Sequence, residues 1–240
     1  MGASVFCYTT RKTAGLAGER KVICQDREEF YINERQRVEP VNLPITSGDL
    51  IVVEKRYLRL TLYRDGNVLK RYPIAIGKPT TPSPVGEWKI IHKGGKWGGG
   101  FGARWLGLNC PWGIYGIHGT NKPGSIGRMS SHGCIRMYNR DVLELYNLVQ
   151  IGTPVHIIGD LAPVKLRKIY QRGTTGEDIV MLQFAMRKFG FNPGPADARY
   201  GPGMEQAVRK LQKFYGLAPT GKITRNEQFL LSPHLKLKRE

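Results

Sequence analysis

The chain has no apolar run long enough to cross a membrane as a helix, which takes about 18 residues or more. The apolar run at Leu50 stops at Val53. Cysteine is scarce: Cys7, Cys24, Cys110 and Cys134 are the only four in 240 residues, and no two form a CxxC pair. That spacing argues against a zinc finger or a dithiol redox site. An even count permits disulfides without arguing for them. Acidic residues are outnumbered, 19 against 37 Lys and Arg, for a net charge of +18. Even so, no five basic residues run together and no nucleic-acid-binding motif occurs, so nucleic acid is not an expected partner. Met1 to Thr10 lacks the basic start and apolar stretch of a signal peptide, so none is visible. Heptads and collagen periods are absent too.

What is present suits a folded protein of one large or two small domains: 40% apolar and 23% charged residues. Charge is uneven along the chain. Residues 1–46 carry 7 basic and 6 acidic groups, 47–160 carry 15 and 7, and 161–240 carry 15 and 6. A basic surface attracts polyanions, and an anionic wall polymer is one such partner.

Residues 1–46 are weakly patterned and suggest no role. Pro40 to Gly48 reads as a boundary. Beyond it the pattern becomes β-like: Leu58, Leu60 and Leu62 alternate with polar residues, and Asp65-Gly66 predicts a hairpin turn with Val68 to Ile76 as the return strand. Trp88 to Ile91 reads as a further short strand. Seven glycines between 94 and 107, interleaved with Trp97, Phe101 and Trp105, predict a mobile flap rather than a packed element. Asn139 is placed to cap a helix bearing Val142, Leu145, Leu148 and Val149 on one stripe, with Val155 to Ile158 as a closing strand. The expected fold is therefore a mostly β domain over 47–160, a linker over 161–172, and a small all-α domain over 173–240. In the last, Ile179, Leu182, Met186 and Phe189 mark one helix, Met204 to Phe214 a second, and Thr224 with Glu227 opens a third.

The residues with chemistry in them are Gly116-Ile117-His118-Gly119-Thr120 and Ser131-His132-Gly133-Cys134-Ile135-Arg136. In extended backbone, His132, Cys134 and Arg136 share one face. A histidine beside a thiol can take its proton, which a cysteine with an ordinary pKa of about 8.5 needs in order to attack at neutral pH. Gly133 keeps the backbone open to a developing oxyanion, and Arg136 offers a fork for a carboxylate or phosphate. Other readings stay open. A lone cysteine is more often a small buried hydrophobe, Arg136 could simply pair with Asp141, and His118, His132 and Cys134 could bind zinc, although their spacing fits no metal signature. Gly216 to Lys222 imitates a phosphate loop, but Ile223 stands where Ser or Thr is needed and no strand precedes it, so nucleotide binding is rejected.

With these residues quoted, the stretch from Asp49 to Gly159 resembles the L,D-transpeptidase (YkuD) catalytic domain. His118 lies 16 residues before Cys134 in a Ser-His-Gly-Cys setting, and Thr80–Gly86, Phe101–Leu108 and Tyr115–Thr120 match segments leading to the site. The resemblance implies a β-sandwich-like fold and cysteine acyl transfer on peptidoglycan stem peptides. Cys134 would be the nucleophile and His132 the base. Ser131 would orient the histidine through its carbonyl, Gly133 with the Cys134 N–H would hold the oxyanion, and His118 would line the site. Arg136 stands where the pattern commonly has Asn. It would touch substrate together with Tyr115, Gly119 and Trp105, and the glycine-rich flap would be a lid. Residues 173–231 resemble a three-helix peptidoglycan-binding domain, with Ala198 and Met204 departing from its usual Gly and Thr.

The implied reaction takes the carbonyl of stem residue three, releases the terminal D-alanine and forms a 3→3 cross-link, with no metal or cofactor. Water as acceptor would make it an L,D-carboxypeptidase, and a degenerate site would leave a non-catalytic wall-binding protein. Partners would be peptidoglycan stems and glycan, and the location the cell wall or envelope.

Overall fold

The computed structural model describes residues 8–9, 19–23, 29–33, 47–95 and 99–238. The chain divides into two compact units, Met1–Pro44 and Ile45–Glu240. Within the first, β1 (Tyr8–Thr9), β2 (Glu19–Ile23) and β3 (Glu29–Asn33) form an antiparallel sheet in that order. Cys7, Cys24 and Trp97 lie outside the described residues.

The second unit is built on one curled eight-stranded sheet. β4 (Asp49–Glu54) carries the apolar run Leu50–Val53, buried on both faces, so it sits inside the sheet. It pairs antiparallel with β5 (Arg59–Arg64) and parallel with β13 (Pro154–Ile158). Asp65 and Gly66 turn the chain into β6 (Asn67–Pro73) with both φ angles positive, +50° and +79°, which is what a two-residue hairpin turn of this hand requires. The return strand ends at Pro73, short of the expected Ile76. Ile76 instead starts β7 (Ile76–Gly77), which pairs parallel with β11 (Met129–Ser131). The other half of the sheet runs from β13 through β8 (Gly86–Gly95), β9 (Arg104–Leu108) and β10 (Gly116–His118) to β12 (Ile135–Arg136). β8 is ten residues long, so the expected flap is in good part a hairpin. Gly94, Gly95 and Gly107 are paired in its strands, while Gly99 and Gly100 lie in the short turn Gly99–Phe101. Ladder hydrogen bonds compensate the entropy that glycine loses there.

Helix α1 (Asn139–Leu148) packs Val142 and Leu145 into the sheet's core. Asn139 is its first residue rather than its cap, and its amide oxygen accepts the Ala103 N–H at 3.0 Å instead. Three helices follow: α2 (Glu177–Lys188), α3 (Pro202–Phe214) and α4 (Arg225–Leu231). Glu227 accepts the Thr224 N–H at 2.7 Å, closing the capping box at the start of α4. Between the β domain and α2, Val164 pairs with Leu237 and the buried Tyr170 pairs with Ile223.

α2 is buried on two sides. Ile179, Leu182, Ala185 and Met186 belong to the core of the helical region, while Val180, with Ala196 and Ala198, belongs to the core of the β domain. Glu87 of β8 reinforces that junction. It accepts both Arg187 Nη groups, at 2.6 and 2.8 Å, and the Ala196 N–H at 3.0 Å. Among the described residues no helix is long and apolar enough to cross a membrane.

Candidate active site

The Ser-His-Gly-Cys segment lies between two short strands. β11 ends at Ser131, β12 begins at Ile135, and the chain bends through His132, Gly133 and Cys134. Gly133 has φ +115°, and a Cβ there would come within 2.6 Å of the Tyr115 ring, so the bend requires glycine. The expectation that His132, Cys134 and Arg136 share one strand face is corrected by this bend, because alternation holds only in extended backbone. The Ser131 hydroxyl closes the turn: it donates to the Cys134 carbonyl at 2.6 Å and accepts the Gly133 N–H at 3.1 Å. The Ser131 carbonyl accepts the Lys78 N–H and the Thr81 hydroxyl, at 3.0 and 3.2 Å. It is therefore spent on the 78–83 loop rather than on a histidine, which corrects the role expected for it.

The histidine held by a carbonyl is His118. It ends β10, is 4% exposed, and its Nδ1 lies 2.5 Å from the Gly119 oxygen. A carbonyl can only accept, so Nδ1 carries the hydrogen and Nε2 of the neutral ring holds the lone pair. The Trp105 ring stacks on His118 at 5.6 Å, and Phe101 meets both rings edge-on at 5.3 and 5.4 Å. β10 runs parallel to β12, with His118 opposite Arg136. Gly116, two residues before His118 on that strand, gives its N–H to the Cys134 sulfur. Cys134 thus lies against the strand that carries His118. His132 is exposed.

Protonation follows from burial. Burial pushes the Cys134 thiol above its ordinary value, against the pull of the Gly116 N–H and the Arg136 charge. Burial pushes His118 below its ordinary value; Arg136 adds to this, while the Gly119 and Phe101 carbonyls oppose it. At neutral pH the resting pair is a thiol and a neutral imidazole. The thiol then needs a base, and His118 is in the state to be one. The S–H points at the Ile114 carbonyl, 3.8 Å away.

Arg136 is fixed by its backbone, which exchanges two 2.9 Å hydrogen bonds with Ala75. Its Nε is buried without a hydrogen-bond partner, and Asp141 pairs with Arg140 rather than with it. Trp105 and Gly119 are buried and shape the site from behind, while Tyr115 lies half-buried under Gly133. Ile114 escaped the sequence reading, and Gly116 and Asn139 were named there without the roles they have here: Ile114 and Gly116 act through backbone groups, and Asn139 through its side-chain oxygen on Ala103. Among the described residues no three His, Cys, Asp or Glu side chains are grouped to hold a metal ion. Cys110 is buried and free, its thiol pushed up to about 12 mainly by that burial, which leaves it inert as a nucleophile.

A part-buried thiol beside a buried, carbonyl-locked imidazole on a sheet edge defines a cysteine acyl-transfer type of site. The family model described as L,D-transpeptidase catalytic domain (YkuD) matches residues 48–157, and one described as "Putative peptidoglycan binding domain" matches 175–227. A protein of Bacillus licheniformis named "Putative L,D-transpeptidase YkuD" is 53% identical over 114 residues, 48% of this chain and 68% of that protein. Its Bacillus subtilis counterpart of the same name is 53% identical over 98 residues, 41% of this chain and 58% of that one. "Putative L,D-transpeptidase YqjB" of Bacillus subtilis is 35% identical over 132 residues, 49% and 75% of the two chains. The catalytic domain of an Enterococcus faecium L,D-transpeptidase, solved by NMR, is 28% identical over 47% of this chain and 98% of that domain, with a TM-score of 0.42. The chain belongs to the L,D-transpeptidase enzyme family and carries a peptidoglycan-binding domain after its catalytic one.

Proposed function

We propose that the protein is a peptidoglycan L,D-transpeptidase of the cell wall, with Cys134 as nucleophile and His118, rather than His132, as base. The observation that supports this best is the buried imidazole whose Nδ1 is committed to the Gly119 carbonyl beside a protonated thiol. His118 Nε2 takes the thiol proton as the sulfur attacks the carbonyl carbon of stem residue three. The C–N bond to the terminal D-alanine breaks, and the imidazolium returns the proton to the departing amine, leaving a thioester. The side-chain amine of a second stem then attacks the thioester carbon. It passes its proton to His118, expels the thiolate and forms a 3→3 amide. Arg136, with its unpartnered Nε, receives a stem carboxylate, and the basic surface favours the anionic wall.

The test is mass spectrometry of a disaccharide-tetrapeptide incubated with wild type, Cys134→Ala, His118→Gln and His132→Gln. Dimers lacking one D-alanine are expected from wild type and none from Cys134→Ala. His118→Gln is expected to lose a factor of about 10²–10⁴, the worth of a positioned base, while His132→Gln stays near wild type. The reverse order for the two histidines would return the base to His132. Cys134-dependent tripeptide without dimers would make the enzyme a carboxypeptidase. No product from wild type on intact substrate would leave a wall-binding protein.

A further inference from the structure

The wall of the site that touches Cys134 is the 109–115 loop, which joins β9 to β10. It holds the thiol through the Ile114 carbonyl and presses the Tyr115 ring under Gly133. Its own interior is an aromatic stack: Trp112 meets Tyr115 at 6.3 Å and Trp88 at 5.4 Å, both edge-on. The loop's first residue, Asn109, is tied to β8 twice. Its N–H donates to the Lys89 carbonyl at 3.2 Å, and its side-chain oxygen accepts the Lys89 N–H at 2.8 Å.

The third tie comes from the helical region. Arg199 Nη2 donates to the Asn109 carbonyl at 3.0 Å. The guanidinium is aimed there by its neighbours: Nη1 donates to the Asp197 carbonyl at 3.1 Å, and the Arg199 N–H donates to the Asp197 carboxylate at 3.0 Å. The buried Gln183 of α2 fixes that carboxylate at 3.0 Å, the Arg199 carbonyl at 3.2 Å and the Ala198 N–H at 3.0 Å. A network this fully satisfied specifies one arrangement. Ala196 and Ala198 are packed into the β-domain core that also contains Trp88, so its base cannot slide.

We propose that Arg199 is a positioning residue for the active site: through Asn109 it holds the 109–115 loop against Cys134, so the helical region is part of the catalytic scaffold. It touches neither substrate nor sulfur. This goes beyond wall binding by the helical region, and it adds to the Cys134 reading without changing the chemistry. Losing the tie frees the loop to swing from the thiol and admits water to a sulfur now partly buried.

The experiment uses the full chain with Arg199→Ala and, as a control in the same region, Arg209→Ala, an exposed side chain that pairs with the half-buried Glu205. Cys134 alkylation by iodoacetamide is followed against pH, with Cys110 accounted for by peptide mapping. Arg199→Ala is expected to move the alkylation midpoint down toward that of a free cysteine. At pH 7 it should alkylate faster by about three-fold or more, while turnover of the tetrapeptide falls about ten-fold. Arg209→Ala should match wild type in both. A wild-type alkylation profile and turnover in a folded Arg199→Ala protein would overturn the proposal. Should that variant not fold, Arg199→Lys and Arg199→Gln decide: the lysine, which keeps a charged donor, stays near wild type and the glutamine shifts, and identical profiles for the two overturn it. Alkylation needs no substrate. A shifted profile alongside an inactive wild type would therefore defeat the transpeptidase reading and spare this one.

Discussion

Removing the Glu87 carboxylate tests the junction between the β domain and the helices. Glu87→Ala strips Arg187 of two charged hydrogen bonds and leaves the Ala196 N–H without its acceptor. The side chains of Arg187 and Glu87 are 31% and 21% exposed, so the pair lies between a solvent-exposed bridge, worth 1 kcal/mol or less, and a fully buried one. A loss of about 2–3 kcal/mol is expected. For a unit of about 200 residues that corresponds to a fall in Tm of roughly 4–12 °C. Because α2 contributes to both cores, wild type should melt in a single transition. The pH dependence has a definite sign. Burial alone would raise the Glu87 carboxyl, but the Arg187 bonds and the Ala196 amide outweigh it and hold the group below its ordinary value. A depressed carboxyl contributes stability above its unfolded pKa and loses it as pH falls through the folded one. The gap in Tm between wild type and Glu87→Ala should therefore be full at pH 7 and close below about pH 4.3. Calorimetry across pH 3–7 measures both. An unchanged Tm at pH 7, a gap that widens in acid, or two separated transitions in wild type would refute the reasoning.

Two further outcomes follow from the site. With His118 as the proposed base in its neutral form, and burial lowering its pKa, the acylation rate should rise with pH through a midpoint below histidine's ordinary 6.5 and then level off. A single-turnover pH profile that rises through a midpoint above that value would mean that burial does not hold the catalytic base in its neutral form. Gly133→Ala places a side chain at φ +115° and a Cβ 2.6 Å from the Tyr115 ring. The backbone term alone costs about 1–3 kcal/mol, so a clear drop in Tm and loss of turnover are expected, and a wild-type melt would show that the bend tolerates Cβ.

The parts of the fold that could be read from sequence are those set by neighbours along the chain. Asp65-Gly66 announces its hairpin because two positive φ angles are needed there and these residues accept them. Thr224 and Glu227 announce α4 through a contact three residues long. The 94–107 stretch misled because glycine content describes what a segment loses on ordering, not whether a partner strand compensates it. β8 and β9 supply each other's hydrogen bonds. The sharing of α2 had a trace in the sequence: Ile179, Leu182 and Met186 account for one face, but Val180 and Phe184 leave the other apolar too. A helix apolar on more than one side is covered on more than one side.

The site divides in the same way. Cys134 and its motif were plain in the sequence, but the choice between two histidines was not, because period-two alternation assigns His132 to the cysteine's face only if the backbone stays extended. Gly133 breaks that condition, and the same glycine in the sequence was compatible with either conformation. What favours His118 is a parallel pairing of β10 with β12, strands 18 residues apart in sequence, and parallel neighbours leave no turn signal to read. The Nδ1 contact with Gly119 is between adjacent residues, yet it carries meaning only once burial removes water as the competing partner. Burial also separates the protonation behaviour of the two groups, raising the thiol and lowering the imidazole. In the proposed reaction, proton transfer between them then accompanies the arrival of a carbonyl carbon rather than preceding it, so the part-buried cysteine stays a thiol until substrate is in place.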